Sequence, residues 1–336
     1  MKQILKMLWN QKQSCYWIFI EQILVAVVLM LSLVSLSEAI HKYRMPGLLN
    51  TENMFCVGWM SQNASAEVKE NTRQSMDVII EHLKKLPYVT GVTRGYNLAP
   101  YQRDADLYAQ MGSDSFRIDD KQFLAVVKFS DESGASVLNI EMEEGTWLEN
   151  RVLEDGSLPV VITRQFADKV AWSTALGKKI PYRSKFLTVA GVAAGLKQEP
   201  FAPSPVAIVV PRFVNLRTSE DMVKIKPGME REFIEAYNKE FTRLISDERV
   251  EPVISDMQEL KRIWVSQSLL PVVLQAIPTL FLFIFAFIGT FGLYQMSSQK
   301  RMREFALRIA LGSTPKQLTY FVLFESLLVT AFAILP

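Results

Sequence analysis

Residues 300–317, KRMREFALRIALGSTPKQ, decide how this chain is organised, because a basic, amphipathic segment lies there between two apolar stretches. Upstream, 265–299 carries no charge, with LLPVVLQAIPTLFLFIFAFIGTFGLY at its centre; downstream, LTYFVLFESLLVTAFAILP runs from Leu318 to Pro336. A hydrocarbon core about 30 Å thick asks for roughly 20 apolar residues, so the first reads as a full span and the second barely crosses. Nearer the start, Gln22 to Ser37 is also uncharged, behind an aromatic collar of Tyr16, Trp17 and Phe19. HKYRMPG follows it where a signal peptide would show a small-residue cleavage site, so the segment reads as an uncleaved anchor. Pro271 and Pro278 are expected to bend the entry of the second span.

Positive charge on the short flanks sets the orientation. Lys2, Lys6 and Lys12 precede the first span, and Lys300, Arg301, Arg303, Arg308 and Lys316 fill the segment before the third. Both segments are therefore expected inside, although Lys42, Arg44, Lys261 and Arg262 reduce the contrast. The resulting layout is a cytoplasmic N-terminus (1–15), spans at 16–37, 265–299 and 318–336, an extracytoplasmic domain (38–264) and a cytoplasmic loop (300–317). An odd number of spans places the C-terminus outside, and the third reads as part of a chain cut short.

Composition excludes several chemistries. A formal charge of +2 suggests no nucleic-acid partner, and two histidines with two cysteines are too few for a protein-built zinc site. Cys15 lies at the mouth of the first span and Cys56 in the large domain, so no disulfide is expected between them. No G-x-x-x-x-G-K-[ST] occurs, and LGKKI from Leu176 lacks its glycine spacing. If ATP drives the protein, another chain hydrolyses it. Glu141, Glu143 and Glu144, like Asp104, Asp106, Asp119 and Asp120, read as solvated charge. No catalytic, metal or cofactor residues are expected.

The large domain reads as α+β. Phe55–Met60, a helix from Ser65 to Leu86 with Ser65 as its N-cap, and Val89–Tyr96 form one strand–helix–strand unit. Met222–Lys226, a helix over Glu230–Ser246 and a strand near Val253 and Ile254 form a second. The two suggest a split ferredoxin-like module (51–98 and 211–258). Its β-rich insertion (99–210) has strands at Phe123–Phe129, Val160–Thr163, Phe186–Val192 and Val206–Val210 and a helix at Arg164–Trp172.

At 100° per residue, Met302, Phe305, Ala306, Ile309 and Ala310 make one apolar face, expected to rest on the membrane or helix bundle. Leu307 and Leu311 fall almost opposite, beside Glu304 and flanked by Arg301, Arg303 and Arg308. Gly312 stops the helix and Pro315 prevents its continuation. Periodicity leaves two readings level: docking into a partner's groove, or lying on anionic lipid.

REFALRIALG, with Glu325-Ser326-Leu327-Leu328 opening the next span, resembles the signature R-E-I-G-x-R-x-A-L-G of permeases like the cell-division permease FtsX and the macrolide exporter MacB. Arg303, Glu304, Arg308, Ala310, Leu311 and Gly312 match, while Phe305 and Ala306 replace the usual Ile-Gly. In the large domain, Glu144-Gly145-Thr146-Trp147, VVITRQFADKV, LGKKI and LTVAGV resemble that family's extracytoplasmic core domain in order and spacing. The resemblance covers essentially the whole chain, although the family normally has four spans. It implies a non-catalytic permease subunit of an ABC transporter of the mechanotransmission type, in the cell (inner) membrane and serving export or efflux. A separate cytoplasmic ATPase would contact Arg303, Glu304, Leu307, Arg308, Leu311 and Gly312. The other partners implied are membrane lipid, a second permease in a homodimer or heterodimer, and an extracytoplasmic protein. The alternatives are an ATPase-driven regulator of an extracytoplasmic cell-wall hydrolase, and a membrane-anchored sensor.

Overall fold

Helix α1, Lys12–Arg44, opens the part of the chain that the computed structural model describes, which comprises residues 12–101, 112–214 and 220–320 with 322 and 324. The helix is 33 residues long, about 50 Å at 1.5 Å per residue. It outruns the expected span 16–37 because nothing in SEAIHKYR breaks it before Met45, Pro46 and Gly47. The chain divides into a helical unit, Met1–Ala39 with Leu269–Pro336, and a mixed α/β unit, Ile40–Ser268.

The α/β unit begins with β1 (Met54–Ser61), α2 (Ala66–Leu83) and β2 (Val89–Tyr96). β3 (Ser113–Ile118), β4 (Lys121–Ser130), α3 (Gly134–Leu138) and β5 (Met142–Gly145) follow. Next come β6 (Leu158–Thr163), α4 (Arg164–Val170), β7 (Lys179–Tyr182), β8 (Lys185–Ala193) and β9 (Ala207–Pro211). β10 (Glu220–Ile225), α5 (Glu230–Leu244) and β11 (Val250–Asp256) complete it. One sheet runs β11-β1-β10-β2-β4-β9-β6-β8-β5, with β3 on β4 and β7 on β8.

The first four strands of that order are mutually antiparallel and come from two strand–helix–strand halves, the arrangement of a split ferredoxin-like sheet. The insertion is built into the same sheet. It joins where β2 meets β4 over only Gly95–Ser130 and Tyr96–Phe129, and it contains two parallel pairs, β4–β9 and β6–β8. Strands β3, β5 and β7 and helix α3 escape the sequence reading. β5 and β7 have four residues each and α3 has five, too few to establish a period.

Local signals place the two packed helices. Ser65 caps α2 with extended backbone, accepting from the Val68 N–H at 3.3 Å. The stripe Met76, Ile79, Ile80 and Leu83 is buried against Phe55, Val57, Val92 and Val223 of the sheet. From α5, Phe233, Tyr237 and Phe241 enter the same cluster. Each such side chain contributes about 1.5–3 kcal/mol on burial. Both helices therefore lie on one face of the ferredoxin-like half. A second cluster fills the insertion around Phe116, Phe123 and Phe166. A third collects Leu48, Met54, Leu98, Tyr101, Leu196 and Met257.

Helix α6, Met257–Lys300, runs unbroken for 44 residues through Pro271 and Pro278. Its first residues belong to the α/β unit and the rest to the helical unit. Within the helical unit, Ser32 of α1 and Thr279 of α6 share a hydrogen bond of 3.2 Å. Leu31, Leu33, Leu280, Phe285 and Phe287 are exposed, a density of bare apolar surface that calls for an apolar solvent. Among the described residues one helical stretch, Ala26–Arg44, is long and apolar enough to cross a membrane, and Ala276–Gly289 is a shorter apolar stretch. The expected span 318–336 lies mostly outside the described residues.

Candidate partner-docking helix

Helix α7, Met302–Ala310, follows a one-residue turn at Arg301. Its end is a full Schellman motif: Gly312, at φ +97°, donates to Ile309 at 3.0 Å, and the Ser313 N–H donates to the Arg308 carbonyl at 3.0 Å. Glycine takes that left-handed position without the steric cost other residues meet. The next helix begins at once from a capping box. The Thr314 N–H donates to the Gln317 side chain at 3.0 Å, and the Gln317 N–H donates to Thr314 Oγ1 at 3.4 Å, with Pro315 first in the helix. Thr314 and Gln317 fit S/T-x-x-Q in the sequence, a start signal that reading Pro315 only as a stop passes over.

This punctuation presents α7 as a short rigid element between two corners. Leu307 is 62% exposed and Leu311 79% exposed. Arg303 and Gly312 are exposed and Arg308 is half-buried; the side chain of Glu304 lies outside the described residues. Of the face expected to rest on the membrane or bundle, Phe305 alone is half-buried, under the Arg301 guanidinium 5.2 Å from its ring centre. Met302, Ala306, Ile309 and Ala310 are exposed. The arrangement can bind by apolar insertion with basic flanks.

The acidic groups elsewhere are structural. Arg164 bonds both Glu143 and Glu144, the latter at 2.7 Å. Asp119 and Asp120 form the two-residue turn between β3 and β4, both at positive φ. Asp104 and Asp106 lie outside the described residues. Among the described residues no group of three His, Cys, Asp or Glu could hold a metal ion. Cys56 carries a free thiol, held well above its ordinary pKa first by burial and then by Glu220 and Asp221.

The charges that matter most are buried, and no sequence pattern marks them. Arg94 of β2 faces Asp221 of β10 in register and grips it twice, at 2.8 and 3.2 Å, while a third nitrogen bonds Asp77 of α2. Burial lowers the guanidinium's pKa, but bonds to Asp221 and Asp77 outweigh it, so the net shift is upward. Lys128, fully buried on β4, donates to the Asn97 carbonyl at 2.6 Å and Gln198 Oε1 at 2.7 Å. Burial pushes it down to about 7, with Glu220 opposing. Glu220 accepts the Leu98 and Ala99 N–H groups at 3.0 and 2.9 Å, and burial raises its pKa.

The family model for the MacB-like periplasmic core domain matches residues 23–259, and that for the FtsX-like permease C-terminal region matches 276–336. Among solved structures, the periplasmic region of MacB from Actinobacillus actinomycetemcomitans is 16% identical with a TM-score of 0.42, covering 63% of this chain and 92% of that chain. The extracellular domain of the noncanonic ABC-type transporter YknZ from Gram-positive bacteria is 17% identical with a TM-score of 0.41, covering 60% of this chain and 100% of that chain. No curated protein matches. With the core-domain match spanning well over half its length, the chain belongs to the ABC transporter permeases that join a MacB-like periplasmic core domain to an FtsX-like permease region.

Proposed function

We propose that the chain is a permease subunit of the mechanotransmission type, in which a separate cytoplasmic ATPase moves the core domain through α7 and α6 for export or efflux. In this reading 16–37, 265–299 and 318–336 span the membrane, 1–15 and 300–317 face the cytoplasm and 38–264 lies outside. The carrying observation is the pair Leu307 and Leu311, exposed on a basic helix that ends in a Schellman motif, with a capping box opening the next helix at once. Exposed leucines at i and i+4 suit a hydrophobic groove. ATPase closure would push α7, and α6, continuous from Met257 to Lys300, would carry the displacement outward. In this reading the subunit works beside a second permease copy.

The test replaces Leu307 and Leu311 together with Asp in the chain expressed from native membranes. The double variant inserts normally and loses the co-purifying P-loop ATPase by at least tenfold. Undiminished ATPase recovery overturns the docking assignment and leaves α7 a lipid-surface helix.

A further inference from the structure

The last carbonyls of a helix have no partners inside it. At the end of α1, Lys197 supplies them: its Nζ donates to the carbonyls of Lys42 and of Tyr43 (3.0 Å), and also reaches the Pro200 carbonyl at 3.4 Å. The side chain is fully buried, and burial lowers its pKa. A cation there also complements the negative end of the helix dipole. Gly47 pairs with Lys197 in a parallel bridge, and the Leu48 N–H donates to the Lys197 carbonyl at 2.9 Å.

The next residue, Gln198, turns to the other helix. Its carbonyl accepts the Tyr101 N–H at 3.1 Å. Tyr101 then links the segment after α1 to α6: its hydroxyl donates to the Leu49 carbonyl at 3.2 Å, and its carbonyl accepts Trp264 Nε1 at 2.8 Å. Trp264 lies on the first turns of α6 and packs, with Leu260 and Met257, against the cluster holding Leu48, Leu98 and Leu196. All these residues belong to the α/β unit. The Gln198 side chain also donates to the Asn97 and Ala99 carbonyls at 3.3 and 2.8 Å and accepts Lys128 Nζ, so the same loop is anchored to the middle of the sheet.

We propose that residues 196–200 form a joint, with Lys197 as its positioning residue, that locks the end of α1 to the start of α6 so that both helices move the core domain as one body. The inference rests on the mechanotransmission reading. A chain tethered only by residues 45–53 would leave α1 free to swivel, and a push along α6 would dissipate in that swivel. The Lys197 donors oppose that freedom, because a swivel of α1 would strip a buried ammonium of its carbonyl partners, which is costly.

Spin labels at the exposed positions Arg44→Cys and Arg262→Cys, in a Cys15→Ser/Cys56→Ala background of the full chain, report the joint directly. The unaltered joint gives one narrow distance distribution. It is the same in the chain alone and in the complex with the co-purified ATPase, both nucleotide-free and trapped with ATP and vanadate. Lys197→Met widens it at least twofold, and Trp264→Phe, which removes one donor and keeps the packing, widens it with little change in the unfolding midpoint. A purely stabilising lysine would lower the midpoint and leave the folded distribution narrow. That result overturns the proposal, as does a distance between the unaltered helix ends that changes on trapping. Because joint width is read in the chain alone, failure to recover an ATPase strikes the proposed function and its transmission role, and is told apart from a failure of the joint itself.

Discussion

Replacing Arg94 with Met tests whether the buried ion pair holds the ferredoxin-like half together. Arg94 and Asp221 are directly opposite residues on β2 and β10, both buried, joined by two parallel bonds. The variant keeps most of the side-chain volume and removes the guanidinium, leaving Asp221 buried without it. Breaking such a pair from one side costs about 3–5 kcal/mol. The bond from Arg94 to Asp77 adds little, about 0–1 kcal/mol, because the Asp77 carboxylate is half exposed. For a unit of this size each kcal/mol moves the unfolding midpoint by about 2–4 °C, so the expected fall is roughly 6–20 °C. Tryptophan fluorescence reads it, since Trp59 packs beside the cluster under these strands. The control is Arg94→Met with Asp221→Leu: removing both charges costs less than removing one, because the penalty is a buried carboxylate that has lost its guanidinium. A single variant that loses under about 1 kcal/mol, or a double variant as unstable as the sum of its singles, refutes the argument.

Gly145, in the quoted Glu144-Gly145-Thr146-Trp147, sits at φ +69°, and a Cβ there would fall 2.2 Å from the Ala190 carbonyl oxygen. Gly145→Ala is expected to cost about 1–2 kcal/mol for the left-handed backbone and about 1–3 for the clash, read as a lower denaturant midpoint. Lys128 has its pKa pushed from 10.5 in the unfolded chain to about 7 in the folded one, so between those values the unfolded chain holds more protons at this site and stability rises with pH. Lys128→Met removes that rise, so wild type gains on the variant from pH 7 to 9; a gap in urea midpoints that moves the other way contradicts the assignment.

The fold was legible where period and punctuation coincide. The α2 stripe Met76, Ile79, Ile80 and Leu83 recurs at helical spacing behind a capping serine, and α5 repeats the pattern with Phe233, Tyr237 and Phe241. The short elements were not, because β5 and β7 owe their conformation to the pairing partner β8 and not to their own four residues. Leu307 and Leu311 could be placed from the wheel, since both the helix and its glycine stop are local facts. Lys128, Lys197 and Glu220 could not. Each looks like a surface charge in the sequence, and what buries it is a loop distant along the chain: Asn97 for Lys128, and the α1 end for Lys197, are 31 and 155 residues away.

The contrast between the two kinds of buried contact bears on what the core domain is built to do. Beneath α2 and α5 the buried contacts are mainly apolar, with the Tyr237 hydroxyl on the Gly58 carbonyl and Arg94 on Asp77 as directional exceptions, and apolar burial is strong but non-directional, so it fixes that helices adhere more firmly than it fixes their register. At the joint, Leu48, Leu196 and Met257 supply the same adhesion, yet Lys197, Gln198, Tyr101 and Trp264 add bonds that lose strength when a donor moves or tilts. An assembly that only had to stay folded would gain nothing from burying an ammonium against carbonyls there, since a well-packed hydrophobic side chain is often as stable. One that must convert a push along α6 into a defined displacement needs the helix ends to resist sliding as well as separation. Directional bonds concentrated where α1 and α6 meet the sheet meet that mechanical requirement, and apolar area alone does not.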